Sequence, residues 1–380
     1  MADVTPTQGF ADRAALERLI AQDGSTDPFV SLYLNTERES IPRNLRERAI
    51  AALDGAAANG GAAGDVLRTE RPRLEPLLEG LHPMGPGLGI FASEAGGVLE
   101  ALWLPVPVHD HLRVGAGLYA LPLMDQLDEL EPVALAFVEK DKARLLVADA
   151  GRLAEAEHTH AGGGGEHRRS GRQSARQFQG RSAQRAEDFA REVAAELEAL
   201  RKEHPFRRLF LSGPKEPVTL LRKHLTAEQA GQVAGELALD AHASDAAMVE
   251  ALIPHAREAE RAAERTLVEG LVTAAAKKQN AVMGLTDTLA AFGEHKVSQV
   301  VLASDQPLDG HRCTACGLLT GRLSPRCIRC GGATEEVDLR EVLPPVVRQS
   351  AVAVEVVHGD AASALREHGG LAGLLKPVKH

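Results

Sequence analysis

The stretch GGGGEHRRSGRQSARQFQGRSAQRAEDF, from Gly162 to Phe189, decides how the rest of the chain is interpreted. It opens with four glycines and one acid and then carries six arginines: Arg168, Arg169, Arg172, Arg176, Arg181 and Arg185. A glycine run is costly to fix in one conformation, so such a segment is typical of a functional loop. Because guanidinium groups match the geometry of phosphate, we predict that these arginines bind RNA. The alternative is a charged face that is merely solvated.

Gln173 lies in the middle of this loop. Its amide cannot act as a general base, but it can orient a water molecule or an ester carbonyl. A phosphate-binding P-loop is excluded, because no Gly-Lys-Ser/Thr ends the glycine run. The loop therefore predicts RNA recognition together with one positioned amide.

Composition limits the class of protein. The chain has 380 residues and a net charge of -10, with 44% hydrophobic residues. This length favours two or three domains. An acidic total does not exclude RNA binding, because affinity depends on where the basic residues cluster. The N-terminus lacks the pattern of a signal peptide, and no apolar run approaches the roughly 20 residues that span a bilayer. We therefore expect a soluble, cytoplasmic protein with no membrane partner.

The order of helical and strand patterns predicts an α/β (α+β) fold with three domains. They are an N-terminal α/β domain for docking (1–128), a central domain (132–245) and a C-terminal α/β domain (246–380). The central domain is predicted to hold a mixed sheet with helices and the basic loop. Its first strands form a hairpin in VALAFVEKDKARLLVADAG (Val133–Gly151), and an amphipathic helix follows the loop. The Ala/Gly-rich stretch Gly55–Gly64 is predicted to be a loop, and a break or kink is expected near Pro254.

The four cysteines occur as two Cys-x-x-Cys pairs within 18 residues: Cys313, Cys316, Cys327 and Cys330. Two such pairs can hold one tetrahedral Zn²⁺ through four thiolates, which leaves no open position for a substrate. We therefore predict a structural zinc ribbon, inserted at 311–332. The alternative is a set of free or redox-active thiols.

Three segments carry a resemblance to a known family. SGRQSARQF (Ser170–Phe178) resembles the Gly-Gly-Gln loop of eukaryotic and archaeal class-1 peptide release factors. GLTDTLAAFGEHKVSQVVLASD (Gly284–Asp305) resembles their C-terminal domain, in which archaeal members carry a cysteine insert, and GGLAGLLK (Gly369–Lys376) resembles their terminal motif. The first domain shows neither the Asn-Ile-Lys-Ser nor the Tyr-x-Cys-x-x-x-Phe motif of stop-codon reading. The chain is more similar to bacterial relatives of release factors and Pelota, of the Balon-like or Vms-type groups.

This resemblance implies a translation factor that enters the ribosomal A site and brings its central loop to the peptidyl transferase centre. Gln173 aligns with the family's catalytic glutamine and Gly171 with its first glycine. Arg172 stands where the family has its second glycine. The C-terminal domain resembles a docking module that, in other members, binds a translational GTPase, and elongation factor Tu is a candidate here.

Two hypotheses follow. The first is ribosome rescue, in which a monomer on a stalled ribosome promotes hydrolysis of peptidyl-tRNA through Gln173. The second is hibernation, in which a non-enzymatic protein occludes the A site of idle ribosomes. A third hypothesis, which the resemblance to Vms-type relatives allows, is an RNA endonuclease that acts on the tRNA end, but the sequence offers no acid/base pair for it.

Overall fold

The structure is a computed structural model that describes residues 7–38, 41–58, 60–129, 131–149, 152–160, 175–304, 307–322 and 324–377. For residues 7 and 175–182 it describes only the backbone. The chain divides into two compact units, one formed by Met1–Glu129 with Arg261–His380 and the other by Leu130–Glu260. None of the described helices is long and apolar enough to cross a membrane.

The N-terminal part of the first unit is a five-stranded sheet covered by helices. Its elements are β1 (Thr7–Phe10), α1 (Arg13–Ile20), β2 (Pro28–Asn35), α2 (Pro42–Ala58), α3 (Gly61–Glu79), β3 (Gly87–Ser93), β4 (Val98–Leu104), β5 (His111–Ala116) and α4 (Leu121–Glu129). The strand order is β1-β4-β3-β2-β5. Only the β1–β4 pair is parallel among these neighbours. Helices α2 and α3 bury Leu45, Leu53, Leu67 and Leu74 against the sheet.

The prediction of a loop at Gly55–Gly64 was wrong. Helix α2 continues to Ala58 and α3 begins at Gly61, so most of this stretch is helical. Alanine has the highest helix propensity, and it outweighs the scattered glycines here. Among the described residues between and at the start of these helices, Gly60 and Gly61 have φ angles of 65° and 66°, which suit glycine.

The second unit is built on a mixed sheet. Its elements are β6 (Val133–Val138), β7 (Lys142–Asp149), β8 (Arg152–His160), α5 (Ala175–Glu203), β9 (Arg208–Ser212), α6 (Lys215–His224), α7 (Ala227–Gln232), β10 (Val233–Leu237) and the first part of α8 (Asp245–Ala276). The strand order is β10-β9-β6-β7-β8. Strands β10, β9 and β6 are parallel to one another, whereas β6, β7 and β8 pair antiparallel. The predicted mixed sheet and its β6–β7 hairpin are thus confirmed.

Both faces of this sheet are covered. On one face, Leu145 and Leu209 pack with residues of α5 and α6, including Val193 and Leu221. On the other face, Phe210 packs with the first turns of α8. Burial on both faces explains why β6 consists only of buried residues.

The C-terminal part of the first unit carries two further sheets. Its elements are β11 (Ala281–Met283), α9 (Leu285–Gly293), β12 (Val297–Ala303), β13 (Asp309–Cys313), β14 (Leu319–Thr320), β15 (Thr334–Asp338), α10 (Leu339–Gln349), β16 (Ala353–Val357), α11 (Gly359–Arg366) and β17 (Leu371–Leu375). One sheet has the order β11-β17-β12-β16, and a small antiparallel sheet has the order β14-β13-β15. The α/β class predicted from the sequence is confirmed.

No break occurs at Pro254, which lies inside the continuous helix α8. Proline removes one backbone hydrogen bond and crowds the preceding turn. The turns around it are nevertheless held by burial, since Met248, Val249 and Leu252 pack under the mixed sheet. Packing therefore outweighs the local penalty.

Candidate functional site

The residues predicted to bind RNA or to act in catalysis precede α5 in the sequence or belong to its first turns. Gly171, Gln173, Arg168, Arg169 and Arg172 fall outside the described residues. Arg176 and Arg181 belong to the helical backbone of α5, and Arg185 is exposed on that helix. The structure therefore locates the C-terminal end of the arginine-rich segment and leaves the roles of these residues as predictions.

Helix α5 is anchored on the sheet by one face. Phe189, Val193, Leu197 and Leu200 are each no more than 3% exposed. Their spacing of three or four residues places them on one side of the helix. The predicted amphipathic helix is thus confirmed, and the sequence that precedes it is joined to a fixed element.

The opposite face of α5 is ordered by ion pairs. Arg191 donates to Asp188 at 2.9 Å, and this hydrogen bond lowers the pKa of the Asp188 carboxyl. A contact of 2.6 Å joins His224 on α6 to Glu187, and it lowers the pKa of the Glu187 carboxyl. Such exposed pairs contribute little stability.

A cleft of about 420 Å³ opens beside α5 within the second unit. Ala183, Ala186 and Phe189 form its α5 wall, while Lys140 and Glu216 contribute charged groups. The lining is mainly apolar, as in many small-molecule sites. Glu139 adds a second carboxylate to the lining, and we assign the cleft no role in catalysis.

The second candidate site is the cysteine ribbon, where the structure brings all four predicted ligands together. The sulfur atoms of Cys313, Cys316, Cys327 and Cys330 lie within 4.8 Å of one another. The Sγ–Sγ distances are 3.4 Å between Cys313 and Cys330 and 3.6 Å between Cys316 and Cys327. A tetrahedron with Zn–S bonds of about 2.3 Å has edges of about 3.8 Å, so the four positions fit one zinc ion.

The two Cys-x-x-Cys pairs have the same local fold. The N–H of Gly317 donates to Cys313 O, and the N–H of Gly331 donates to Cys327 O, each at 2.9 Å. Both glycines have positive φ, at 70° and 75°, which glycine adopts without strain. A Cβ atom at Gly332 would lie 3.3 Å from the sulfurs of Cys313 and Cys330. Glycine at these positions therefore lets the backbone wrap closely around the sulfurs.

Backbone N–H groups prepare two of the thiols for metal binding. The N–H of Cys316 points at the Cys313 sulfur and lowers the pKa of that thiol to about 6. The N–H of Cys330 likewise lowers the pKa of the Cys327 thiol. At Cys330 itself the N–H of Gly332 acts in the same direction, but the neighbouring sulfurs prevail and raise the pKa of the thiol to about 12. Thiolates this close together repel one another, and a bound cation would offset their negative charge.

A third cluster, around His358, was missed in the sequence. The ring Nδ1 of His358 lies 3.1 Å from Glu264 on α8, and its Nε2 lies 3.1 Å from Asp125 on α4. Arg261 contacts Glu129 and Glu264 in the same cluster. The partners of His358 are 94 and 233 positions away in the sequence, so no local pattern could reveal them.

The cluster is charged and largely buried. Burial alone would lower the pKa of His358, but the hydrogen bonds to Asp125 and Glu264 outweigh it and raise the pKa to about 9. Burial likewise raises the pKa of Glu264, yet the hydrogen bond from His358 and the charge of Arg261 hold it below its ordinary value. The imidazole of His358 thus contacts three carboxylates, those of Asp125, Glu129 and Glu264.

A comparison with protein families finds a match to a family of bacterial relatives of the archaeo-eukaryotic release factors in the central part of the chain. The matching family is Bacterial archaeo-eukaryotic release factor family 10, and the match covers residues 119–261. The resemblance predicted from the loop and helix is thus confirmed. A search of curated proteins gives no match.

Similar solved structures come from archaea and yeast. An archaeal translation termination factor, aRF1, is 17% identical, with 97% of this chain and 99% of that chain covered and a TM-score of 0.26. Pelota of Archaeoglobus fulgidus is 18% identical, with 77% and 86% covered and a TM-score of 0.33. Dom34 of S. cerevisiae is 9% identical, with 96% and 93% covered and a TM-score of 0.44. At TM-scores below 0.5, these likenesses carry no argument about function.

Proposed function

We propose that this protein binds the ribosome, enters the A site and promotes hydrolysis of peptidyl-tRNA on stalled ribosomes through Gln173. The observation that carries the proposal is the family match over residues 119–261, because that segment contains Gly171, Gln173 and the helix α5 that follows them. The first domain lacks the motifs of stop-codon reading, so the proposed role is rescue and not termination.

The second unit supports this role mechanically. Helix α5 begins at Ala175, two positions after Gln173, and continues for 29 residues. Its buried face fixes the helix on the mixed sheet. In this proposal, the anchored helix limits where the amide of Gln173 can lie. Positioning is the main contribution that such a group makes to a reaction. In the proposed reaction Gln173 orients a water molecule toward the ester carbonyl, while the arginines neutralise nearby phosphates.

The remaining parts are assigned to docking. We propose that the ribbon cysteines hold a structural Zn²⁺ and that the C-terminal part binds a translational GTPase, with elongation factor Tu as the candidate. Both would act in the cytoplasm, where ribosomes and reduced thiols occur together. The stability of the ribbon would then depend on zinc, and delivery of the protein to the ribosome would depend on the GTPase.

The test is single-turnover peptide release from ribosomes that carry peptidyl-tRNA and an empty A site. Removing one positioned group costs roughly 10²–10³ in rate, so Gln173→Ala should lose that much release while still co-sedimenting with ribosomes. Gln177→Ala, four positions further on, is the matched control and should release at the wild-type rate. Unchanged release by Gln173→Ala would refute the role of Gln173.

One residue favours a second function. Arg172 stands where release factors have glycine, and a side chain there restricts both backbone geometry and close approach. This favours hibernation, in which the loop fills the A site of idle ribosomes without chemistry. The same assay separates the two functions: no release by wild type or Gln173→Ala, with both still bound, would assign the protein to hibernation.

A further inference from the structure

The part of the cysteine ribbon between its first and last strands is rich in arginine, whereas the whole chain is acidic. The protein has a net charge of -10, yet residues 310–334 contain four arginines and no acid. Three of these arginines lie between the start of the second strand of the ribbon and its last cysteine: Arg322, Arg326 and Arg329. A basic cluster on an acidic protein marks a surface for an anionic partner.

These three arginines are free to bind. All three are exposed, and none forms an ion pair with any residue that the structure describes. Other arginines in and beside the ribbon are already paired, since Arg312 contacts Glu335 at 2.6 Å and Arg340 contacts Asp338 at 2.7 Å. The unpaired guanidinium groups therefore distinguish this end of the ribbon from its paired arginines.

The same end presents an apolar side chain. Ile328 lies between the last two cysteines and is 85% exposed, far more than the other exposed large hydrophobic residues that the structure describes, of which the next are Ile41 and Met84, each at 51%. The backbone around it is held by hydrogen bonds, because the N–H of Cys327 donates to Gly332 O at 2.8 Å. Arg322, Arg326, Ile328 and Arg329 are all exposed in the segment between β14 and the last cysteine, and they are here called the ribbon tip.

We propose that the ribbon tip binds the sugar–phosphate backbone of double-helical RNA. The fork of a guanidinium group pairs with phosphate oxygens, and three such groups suit consecutive phosphates. The minor groove of an RNA helix is wide and shallow, so an aliphatic residue such as Ile328 can lie against its sugars. The arrangement reads shape and charge, with no group placed to read bases.

The inference rests on the proposed function, because it takes the ribosome as the source of the RNA. It adds a contact made by the C-terminal part and independent of the loop at Gln173. An acidic protein surface would also attract the arginines, but it would need an apolar pocket for Ile328 as well. An RNA helix requires only the exposed guanidinium groups and the aliphatic side chain that the ribbon tip presents.

The first experiment uses the full-length protein and a short fluorescein-labelled RNA duplex, with binding followed by anisotropy over a range of salt concentrations. The variant Arg322→Gln/Arg326→Gln/Arg329→Gln should bind roughly 10- to 100-fold more weakly at low salt, and its salt slope should fall by about one for each lost phosphate contact. Arg312→Gln is the matched control, since its guanidinium is paired, and it should bind as wild type does. A triple Lys variant should recover the salt slope.

Zinc content is measured on every variant by atomic emission. The proposal requires the triple Gln variant to keep the wild-type zinc content while losing RNA. Loss of zinc together with RNA binding would assign the arginines to the metal site and overturn the proposal. Equal RNA affinity of the triple variant and wild type would overturn it too, as would binding of poly-glutamate in place of RNA, which would identify an acidic protein as the partner.

A second experiment measures co-sedimentation with ribosomes as a function of salt. The triple Gln variant should still bind at low salt through the loop, with a reduced salt slope. If the wild type failed to bind ribosomes but still bound the RNA duplex through the tip, the proposed function would be refuted. The proposed contact between the ribbon tip and RNA would not be affected by that result. Wild-type ribosome binding that is insensitive to the tip would refute the ribbon contact alone.

Discussion

The imidazole Nε2 of His358 lies 3.1 Å from the carboxylate of Asp125, and this pair joins the end of β16 to helix α4 in the first unit. Asp125 belongs to the N-terminal part of that unit and His358 to its C-terminal part. Their contact therefore connects segments that are 233 positions apart in the sequence. The protonation of His358 therefore affects the stability of the contact between these segments.

The contact predicts a pH dependence of stability. The folded-state pKa of His358 is raised from 6.5 to about 9. A group with a raised pKa contributes its full stabilisation below the unfolded value, and the contribution is lost as the pH rises through about 9. Thermal unfolding should show His358→Gln to be less stable than wild type at pH 6 by roughly 3 kcal/mol. The difference should shrink between about pH 6.5 and pH 9 and be nearly absent above pH 9.

The difference between the two proteins is the informative quantity, because lysines and tyrosines also titrate at high pH. His255→Gln is the matched control, since His255 is exposed on α8, and its stability difference from wild type should not vary with pH. A constant difference for His358→Gln from pH 6 to pH 11 would contradict the raised pKa.

Gly213 predicts a second, steric sensitivity in the central unit. It links β9 to α6 with a φ of 125°, and an added Cβ would lie 2.0 Å from the carbonyl oxygen of Val138. Because a backbone atom cannot move aside as a side chain can, Gly213→Ala should lower the free energy of unfolding by about 3 kcal/mol or more. Urea unfolding followed by circular dichroism measures the loss.

The matched control is Gly231→Ala. Gly231 lies in α7 with nothing within 4 Å of an added Cβ. Alanine is favoured over glycine in a helix by about 1 kcal/mol, so this variant should be as stable as wild type or slightly more stable. Equal urea midpoints for the two variants would show that the close approach at Gly213 does not limit the fold.

Local patterns predicted much of the central unit. The two apolar segments that flank the polar turn in Val133–Gly151 predicted the β6–β7 hairpin, and the spacing of Phe189, Val193 and Leu197 predicted the buried face of α5. The Cys-x-x-Cys spacing also predicted four sulfurs in one place, and the structure brings them together. Each of these features is specified within about 30 residues of sequence, where periodicity and spacing are informative.

Features that depend on distant partners were missed. Strand β8 has the sequence RLAEAEHTH, in which charged residues obscure the strand pattern. It is an edge strand that pairs only with β7 in the described sheet, so exposure of its side chains is tolerated. His358 was missed for a related reason, because its role exists only after folding brings Asp125 and Glu264 beside it.

The cysteine ribbon predicts dependence on zinc. Purified protein should contain one zinc ion per chain, and Cys316→Ser/Cys330→Ser should contain almost none. Binding of a structural zinc ion contributes roughly 10 kcal/mol to the folding of a small ribbon, so its loss should expose the backbone of β13 and β15 to hydrogen exchange. Strand β12 belongs to another sheet, and its exchange should change little.

Chelation provides the complementary measurement. A strong chelator should raise exchange in β13 and β15 of the wild type to the level of the double variant, and added Zn²⁺ should reverse the effect. Protection of these strands that persists in metal-free protein would show that the sheet is stable without zinc.

Arg172 gives a prediction about the reaction itself. Under the rescue hypothesis, the side chain of Arg172 holds the backbone beside Gln173 away from the ester, because the corresponding position in release factors is glycine. Arg172→Gly should therefore speed single-turnover release at saturating protein concentration. A displacement of about 1 Å can change a rate by as much as roughly 100-fold, which sets the upper limit of the gain.

Arg169→Gly is the matched control, because it removes the same charge from the same segment without changing the position next to Gln173. It should weaken ribosome binding in a salt-dependent way and leave the rate at saturation unchanged. If Arg172→Gly released no faster than wild type while Gln173→Ala abolished release, arginine would be compatible with hydrolysis. If neither wild type nor Arg172→Gly released peptide, the second glycine would not be what separates this protein from a hydrolase, and occlusion of the A site would be its function.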